Sequence, residues 1–168
     1  ERGMVVPGTE VLSDFRVGVA AARKQMDDAL RLFHVGDFAA ASRLLPEPGS
    51  AASSAWPAQE MELSTAVRSL PAVYAAWDRL DYRTAASTAM PDPPSGAPAW
   101  RVVWPSAEAL KAVKSLSEPP KFGEPNWAGH LRSLAADLLA NGERRIRAHQ
   151  YEDALIRGYR VLELVGQT

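Results

Sequence analysis

An arginine and a histidine separated by four residues, Arg144 and His149, stand in the stretch "NGERRIRAHQ" at residues 141–150. At an RNA phosphate this pair could work without a metal. The guanidinium would stabilise the charge of a pentavalent phosphorus, and the imidazole would move a proton at the attacking 2′-hydroxyl. Arg144 and His149 are therefore the candidate catalytic residues. Arg145, Arg147, Arg157 and Arg160 are the candidate RNA-binding residues, because most protein contacts to nucleic acid go to phosphate and sugar. Plainer explanations compete. Cations in the last turn of a helix gain about 0.3–1 kcal/mol each from the helix dipole, which accounts for one or two such groups better than for four. Asp153 and Arg157, at i and i+4, would form a surface pair worth about 0.3–0.5 kcal/mol. In a chain rich in arginine, with three histidines, about 0.8 Arg–His pairs at spacings of this kind arise by chance. The spacing by itself decides nothing.

The rest of the chain offers little other chemistry. There is no cysteine, so there is no thiolate nucleophile or ligand and no disulfide, in keeping with a cytoplasmic protein. No His and carboxylate share a metal-ligand spacing, and neither a phosphate-binding glycine loop nor a nucleophile elbow is present. No metal and no cofactor is expected. His34 falls near a helix C-terminus, where a capping or dipole role is usual, and His130 falls early in a helix as a packed or surface residue. The net charge of −1 means that any nucleic-acid contact must come from a local patch. No apolar run approaches the ~18 residues needed to cross a bilayer, so no membrane partner is expected.

The elements that must position these residues read as helices. "SDFRVGVAAARKQMDDALRLFHVG" has helical apolar spacing and stops at Gly36, and "DFAAASRLLP" restarts at Asp37 as an N-cap. A weak segment follows over residues 58–69, and another begins with Pro71 in its first turn. Ser106 caps "SAEALKAVKSL", Asn126 opens "NWAGHLRSLAADLLANGERRIRAH", and "QYEDALIRGYRVLELVGQ" closes the chain. "WRVVW", residues 100–104, is the longest strand-like run and is too short and isolated to carry a sheet. One pattern recurs three times: Phe38 with Ala41, Tyr82 with Ala85, and Tyr151 with Ala154, each after a short polar break. This is the signature of a helical hairpin, in which the aromatic ring packs back on the preceding helix. The unequal intervals argue against a regular repeat array. On the last helix Tyr151, Ala154, Leu155, Gly158, Leu162 and Val165 share one apolar face, expected to be the core side. The neighbouring flank, with Asp153, Arg157 and Arg160 around Leu164, is either solvated or meets a second subunit.

The Arg–x4–His spacing matches that of the HEPN ribonucleases, metal-independent helical enzymes that act as dimers. A larger stretch, "LLANGERRIRAHQYEDALIRGYRVLELVGQ", resembles the C-terminal motif of a CRISPR-associated family of type III systems. The matching positions are Asn141, Arg144, Arg145, Tyr151, Asp153, Ala154, Arg157, Tyr159, Arg160, Glu163 and Gln167. "ALRLFHVGDFAAASRLL" and "AVYAAWDRLDYRTAAS" are also similar to that family's helical region. The family pattern carries no histidine at the place of His149. The resemblance implies a helical HEPN-type domain that follows an N-terminal Rossmann-like (CARF) sensor of cyclic oligoadenylate. Residues 1–168 would be the helical part of such a longer chain.

The expected fold is all-α, an irregular, HEPN-like bundle of helical hairpins forming a single domain over residues 1–168. The expected function is a CRISPR-associated effector domain of antiviral defence that binds RNA. It would act as a homodimer and be a candidate ribonuclease activated by cyclic oligoadenylate through a domain absent from this chain. Two rivals remain open: a non-catalytic helical dimerisation or scaffold module, and a repeat-like module with a groove for peptides.

Overall fold

The computed structural model describes residues 9–166, with side chains from residue 17 onward; Gln167 lies outside them. The described residues form helices and turns without strands. The helices are α1 (Thr9–His34), α2 (Phe38–Leu44), α3 (Ala58–Asp78), α4 (Tyr82–Ser87), α5 (Pro98–Arg101), α6 (Ala107–Ser117), α7 (Trp127–Arg147) and α8 (Tyr151–Val165), with a 3-10 turn at Ser53–Ala55. The fold is all-α, as the periodicity predicts. The caps are the expected ones: Asp37 accepts from the Ala40 amide at 2.9 Å and Ser106 from the Ala109 amide at 3.1 Å.

One expectation is corrected. The segments on either side of Pro71 are one helix, α3, with the proline buried inside it. Proline removes one intrahelical donor and clashes with the preceding turn. Here both flanks bury apolar residues, Val67 and Leu70 before it and Val73 and Ala76 after it, and that packing holds the helix together. "WRVVW" carries no strand, in keeping with its length. Pro98 opens the single turn α5, and Trp100 drops into the core at 2% exposure.

α3 runs through the middle of the bundle. Its first half packs with α1 and α2 around Phe33, Phe38, Leu45 and Leu70, and its second half joins α4 and α6 through Val73, Ala76, Ala85 and Val113. α7 and α8 pack chiefly on each other, and α6 touches α7. At their crossing, a Cβ on Gly142 would lie 3.8 Å from both the Ala154 carbonyl oxygen and Arg157 Cβ. A methyl group there would make only ordinary van der Waals contact, so the crossing accepts a small residue and does not demand glycine.

The recurring pattern is a recurring corner. At the end of α1 the Gly36 amide donates to the Phe33 carbonyl (3.0 Å) and the Asp37 amide to that of Leu32 (3.0 Å). At the end of α3 Leu80 donates to Trp77 (2.8 Å) and Asp81 to Ala76 (2.9 Å). At the end of α7 His149 donates to Ile146 (3.0 Å) and Gln150 to Arg145 (2.8 Å). Each is a Schellman ending, with one residue in the left-handed region: Gly36 at φ 84°, Leu80 at 63° and His149 at 58°.

The third corner departs from expectation in one respect. Phe38 and Tyr82 are buried at 6% and 9% exposure, but Tyr151 is 61% exposed. Leu155, Leu162 and Val165 are exposed with it, so the apolar face of α8 looks outward and is not the core side. α7 buries Leu131 and Leu138 together with Asn141 and Gly142, while its Leu139 and Ile146 are exposed beside the α8 face.

Candidate functional site

α7 and α8 dock on the C-terminal end of α3 through a polar seam centred on Asp78, which is 7% exposed. Asn141, fully buried, donates from Nδ2 to the Asp78 carbonyl (3.1 Å) and to its Oδ1 (3.2 Å). Arg157 donates from Nη2 to the same carbonyl (3.1 Å) and from Nη1 to the Asp153 carbonyl (3.2 Å). Arg145 pairs with the Asp78 carboxylate and with Gln150, and lies 3.6 Å from Asp153. Burial lowers the Arg145 pKa below the usual arginine value, and the neighbouring charge of Arg157 lowers it further against the pull of Asp153. Arg145 and Arg157 thus spend their guanidinium groups inside the fold.

A second, half-buried group supports the seam. Asp137 accepts from Trp77 Nε1 (2.8 Å) and from the Tyr82 hydroxyl (2.8 Å). Desolvation raises the Tyr82 pKa far above the usual phenol value, and the Asp137 hydrogen bond and charge raise it further, so the hydroxyl stays a donor. Asp137 was not singled out in the sequence. A lone acidic residue on a helix carries no signal until the donors opposite it are known.

Two clefts open beside this seam. The first, of about 650 Å3, lies between the corner at residues 35–39, the end of α3 and the corner at residues 145–150. Arg145, Arg147 and His149 line it together with Arg79. Arg79 occupies the C-cap of the second corner. Only the structural equivalence of the three corners could have pointed to it. The second cleft, of about 370 Å3, is lined by His34, Tyr74, Val103, Arg144 and Arg147 among others. Arg147 is exposed, 3.4 Å from Glu143, and borders both clefts. Arg144 and His149 thus open onto different clefts. Arg160 stands apart on the outer flank of α8, 2.7 Å from Glu163.

His149 marks a boundary. Its Nδ1 shares a 2.9 Å hydrogen bond with the Tyr151 hydroxyl. Tyr151 in turn lines an apolar groove of about 590 Å3 with Leu139, Ile146, Leu155, Tyr159 and Leu162. The cationic cleft and the apolar face meet at this histidine.

Residues 128–168 match the Csm6 HEPN domain family. The match covers α7 from its second residue and all of α8, the segment that carries the seam, the third corner and the apolar face. Over this stretch the resemblance to a CRISPR-associated HEPN-type helical domain holds. No curated protein and no solved structure matches the chain. Among the described residues, no helix is long and apolar enough to cross a membrane.

Proposed function

We propose that this HEPN-type domain acts in CRISPR-associated defence as an RNA-binding module built from two copies. The copies pair through the apolar face of α7 and α8, and RNA phosphates run along the cleft of Arg79, Arg147 and His149. One observation carries the reading: a solvent-facing apolar groove that ends, at His149 and Tyr151, against a cationic cleft. Soluble monomers rarely leave large contiguous apolar patches uncovered. The backbone of His149 supports a role for its side chain. A non-glycine residue in the left-handed region costs about 1–2 kcal/mol, and the exposed histidine is held there only by its contact with the exposed Tyr151.

Binding is what a single copy's geometry supports best. Cleavage by Arg144 and His149 needs a partner or substrate that brings them onto one phosphate, because in one copy they line separate clefts. Control by cyclic oligoadenylate belongs, on this reading, to a sensor domain outside residues 1–168. A second reading, a pairing scaffold without RNA, draws on the internal engagement of Arg145 and Arg157.

Sedimentation and RNA titration separate the two. Leu155→Glu with Tyr159→Glu should convert a dimer to monomer. Arg147→Ala should weaken single-stranded RNA binding and reduce the salt slope by about 0.7 for each phosphate no longer neutralised. A parent protein that sediments as a monomer at all concentrations removes the pairing. A dimer with no salt-dependent RNA affinity leaves the scaffold.

A further inference from the structure

Arg144 differs from the other arginines of the hairpin. Arg145, Arg147, Arg157 and Arg160 each donate to an oxygen within the fold. Arg144 is partly buried, and among the described residues its guanidinium makes no hydrogen bond and no ion pair. Its Nε is fully enclosed without an acceptor, as are those of Arg145 and Arg157, but the terminal nitrogens of those two do reach oxygens. Asp137 attracts it, but that carboxylate accepts from Trp77 and Tyr82 and makes no hydrogen bond with Arg144. A partly buried cation without an acceptor is costly.

The group borders the 370 Å3 cleft, which has the features of a ligand site. Arg147, one turn further along α7, stands on its rim, and His34 faces it from the last turn of α1. Tyr74 and Val103 give it an apolar wall. The Tyr74 ring is propped by Phe33 at 4.9 Å and Phe38 at 5.4 Å between centroids, and its hydroxyl is held by the Val103 carbonyl at 3.2 Å. A fixed aromatic ring beside two guanidinium groups suits a flat ring joined to a phosphate. The cleft volume fits one such unit.

We propose that this cleft is a nucleotide site, in which Arg144 and Arg147 bind the phosphate and the base lies against Tyr74. It lies away from the apolar groove: Ile146 lines the groove and not this cleft, while Arg144 and Arg147 line this cleft and not the groove. The site therefore does not depend on pairing. The nucleotide is either free or part of an RNA strand.

Calorimetric titration of the full chain with adenosine 5′-monophosphate tests it. The expected result is saturable binding, with adenosine or inorganic phosphate alone binding at least about tenfold more weakly, since each leaves one half of the site empty. Arg144→Gln should weaken nucleotide binding at least about tenfold without lowering the melting temperature, because no internal bond is removed. Arg147→Ala, at an exposed position, should weaken it in a chain that folds as before. Lys114→Ala on α6 should leave nucleotide binding unchanged. Competition then identifies the source. A 5′-phosphorylated oligoribonucleotide that displaces the mononucleotide, with a 5′-hydroxyl strand that does not, indicates a strand end. Displacement by both indicates an internal nucleotide, and by neither a free one. Absence of saturable binding by any nucleotide overturns the proposal. So does equal binding of adenosine and its monophosphate, or an Arg144→Gln protein that melts earlier and binds as well.

Discussion

The second and third corners share one backbone plan and face opposite surroundings. Leu80 and His149 hold the same left-handed position, and Tyr82 and Tyr151 begin the next helix. Tyr82 is buried and gives its hydroxyl to Asp137, whereas Tyr151 stands in solvent beside an apolar groove. The backbone hydrogen bonds that end the preceding helix are the same, so they do not set the fate of the aromatic residue. What arrives on the far side sets it. α6 and α7 cover the second corner, and no described element covers the third. One corner has become core and the other remains available for a partner.

The comparison predicts its largest contrast at the two tyrosines. Tyr82→Ala should cost about 3–5 kcal/mol in chemical denaturation, the range for deleting a buried aromatic ring. Tyr82→Phe should cost about 1–2 kcal/mol, through an Asp137 oxygen left without its donor. Tyr151→Ala should change the stability of a monomer by less than about 0.5 kcal/mol and weaken pairing instead. Equal losses at Tyr82 and Tyr151 would erase the distinction.

The seam between the bundle and the hairpin comes next. Asp78→Ala leaves Arg145 with only the more distant Asp153 carboxylate and Asn141 without its side-chain acceptor. A loss of about 2–4 kcal/mol is expected, with hydrogen exchange rising first in α8. A loss below about 0.5 kcal/mol would mean that apolar contacts, not this polar seam, hold the hairpin.

The left-handed residues should differ more modestly. His149→Gly relieves the strain of an exposed side chain and should stabilise the chain by up to about 1 kcal/mol in thermal melts, while reducing RNA affinity. Leu80→Gly gives up a half-buried side chain along with the strain, so no gain is expected there. A destabilised His149→Gly protein would assign that histidine to the fold.

The smallest effect is pH-dependent. Hydrogen bonds from Thr84 hold the Asp81 carboxylate below the usual aspartate pKa. A lowered folded-state pKa contributes stability above the unfolded value, and that contribution is lost as the pH falls through the folded one. Gln150, at the equivalent place in the third corner, does not titrate. Acid should therefore loosen the amides of α4 before those of α8 in hydrogen exchange, and Asp81→Asn should remove the difference. Parallel loosening in the wild-type chain would count against the capping role of Asp81.

Helix content, the caps at Asp37 and Ser106, and the three corners were legible in the sequence, because each rests on interactions within a few residues. The resemblance carried by residues 141–168 was legible for the same reason, since the hairpin is a continuous stretch. Pro71 misled because tertiary burial on both sides outweighs a local helix breaker. The outward turn of the α8 apolar face was not legible, since periodicity gives the width of a face and not what lies opposite. The roles of the arginines were decided in the same way. Arg144, Arg145 and Arg147 are neighbours of one chemical type on one helix. Successive helical residues point about 100° apart, so one meets an aromatic cleft, one the buried Asp78 and one solvent. Sequence placed the cations at the end of α7; only the packing of that helix on α3 determined which of them are committed to the fold and which is left without an acceptor.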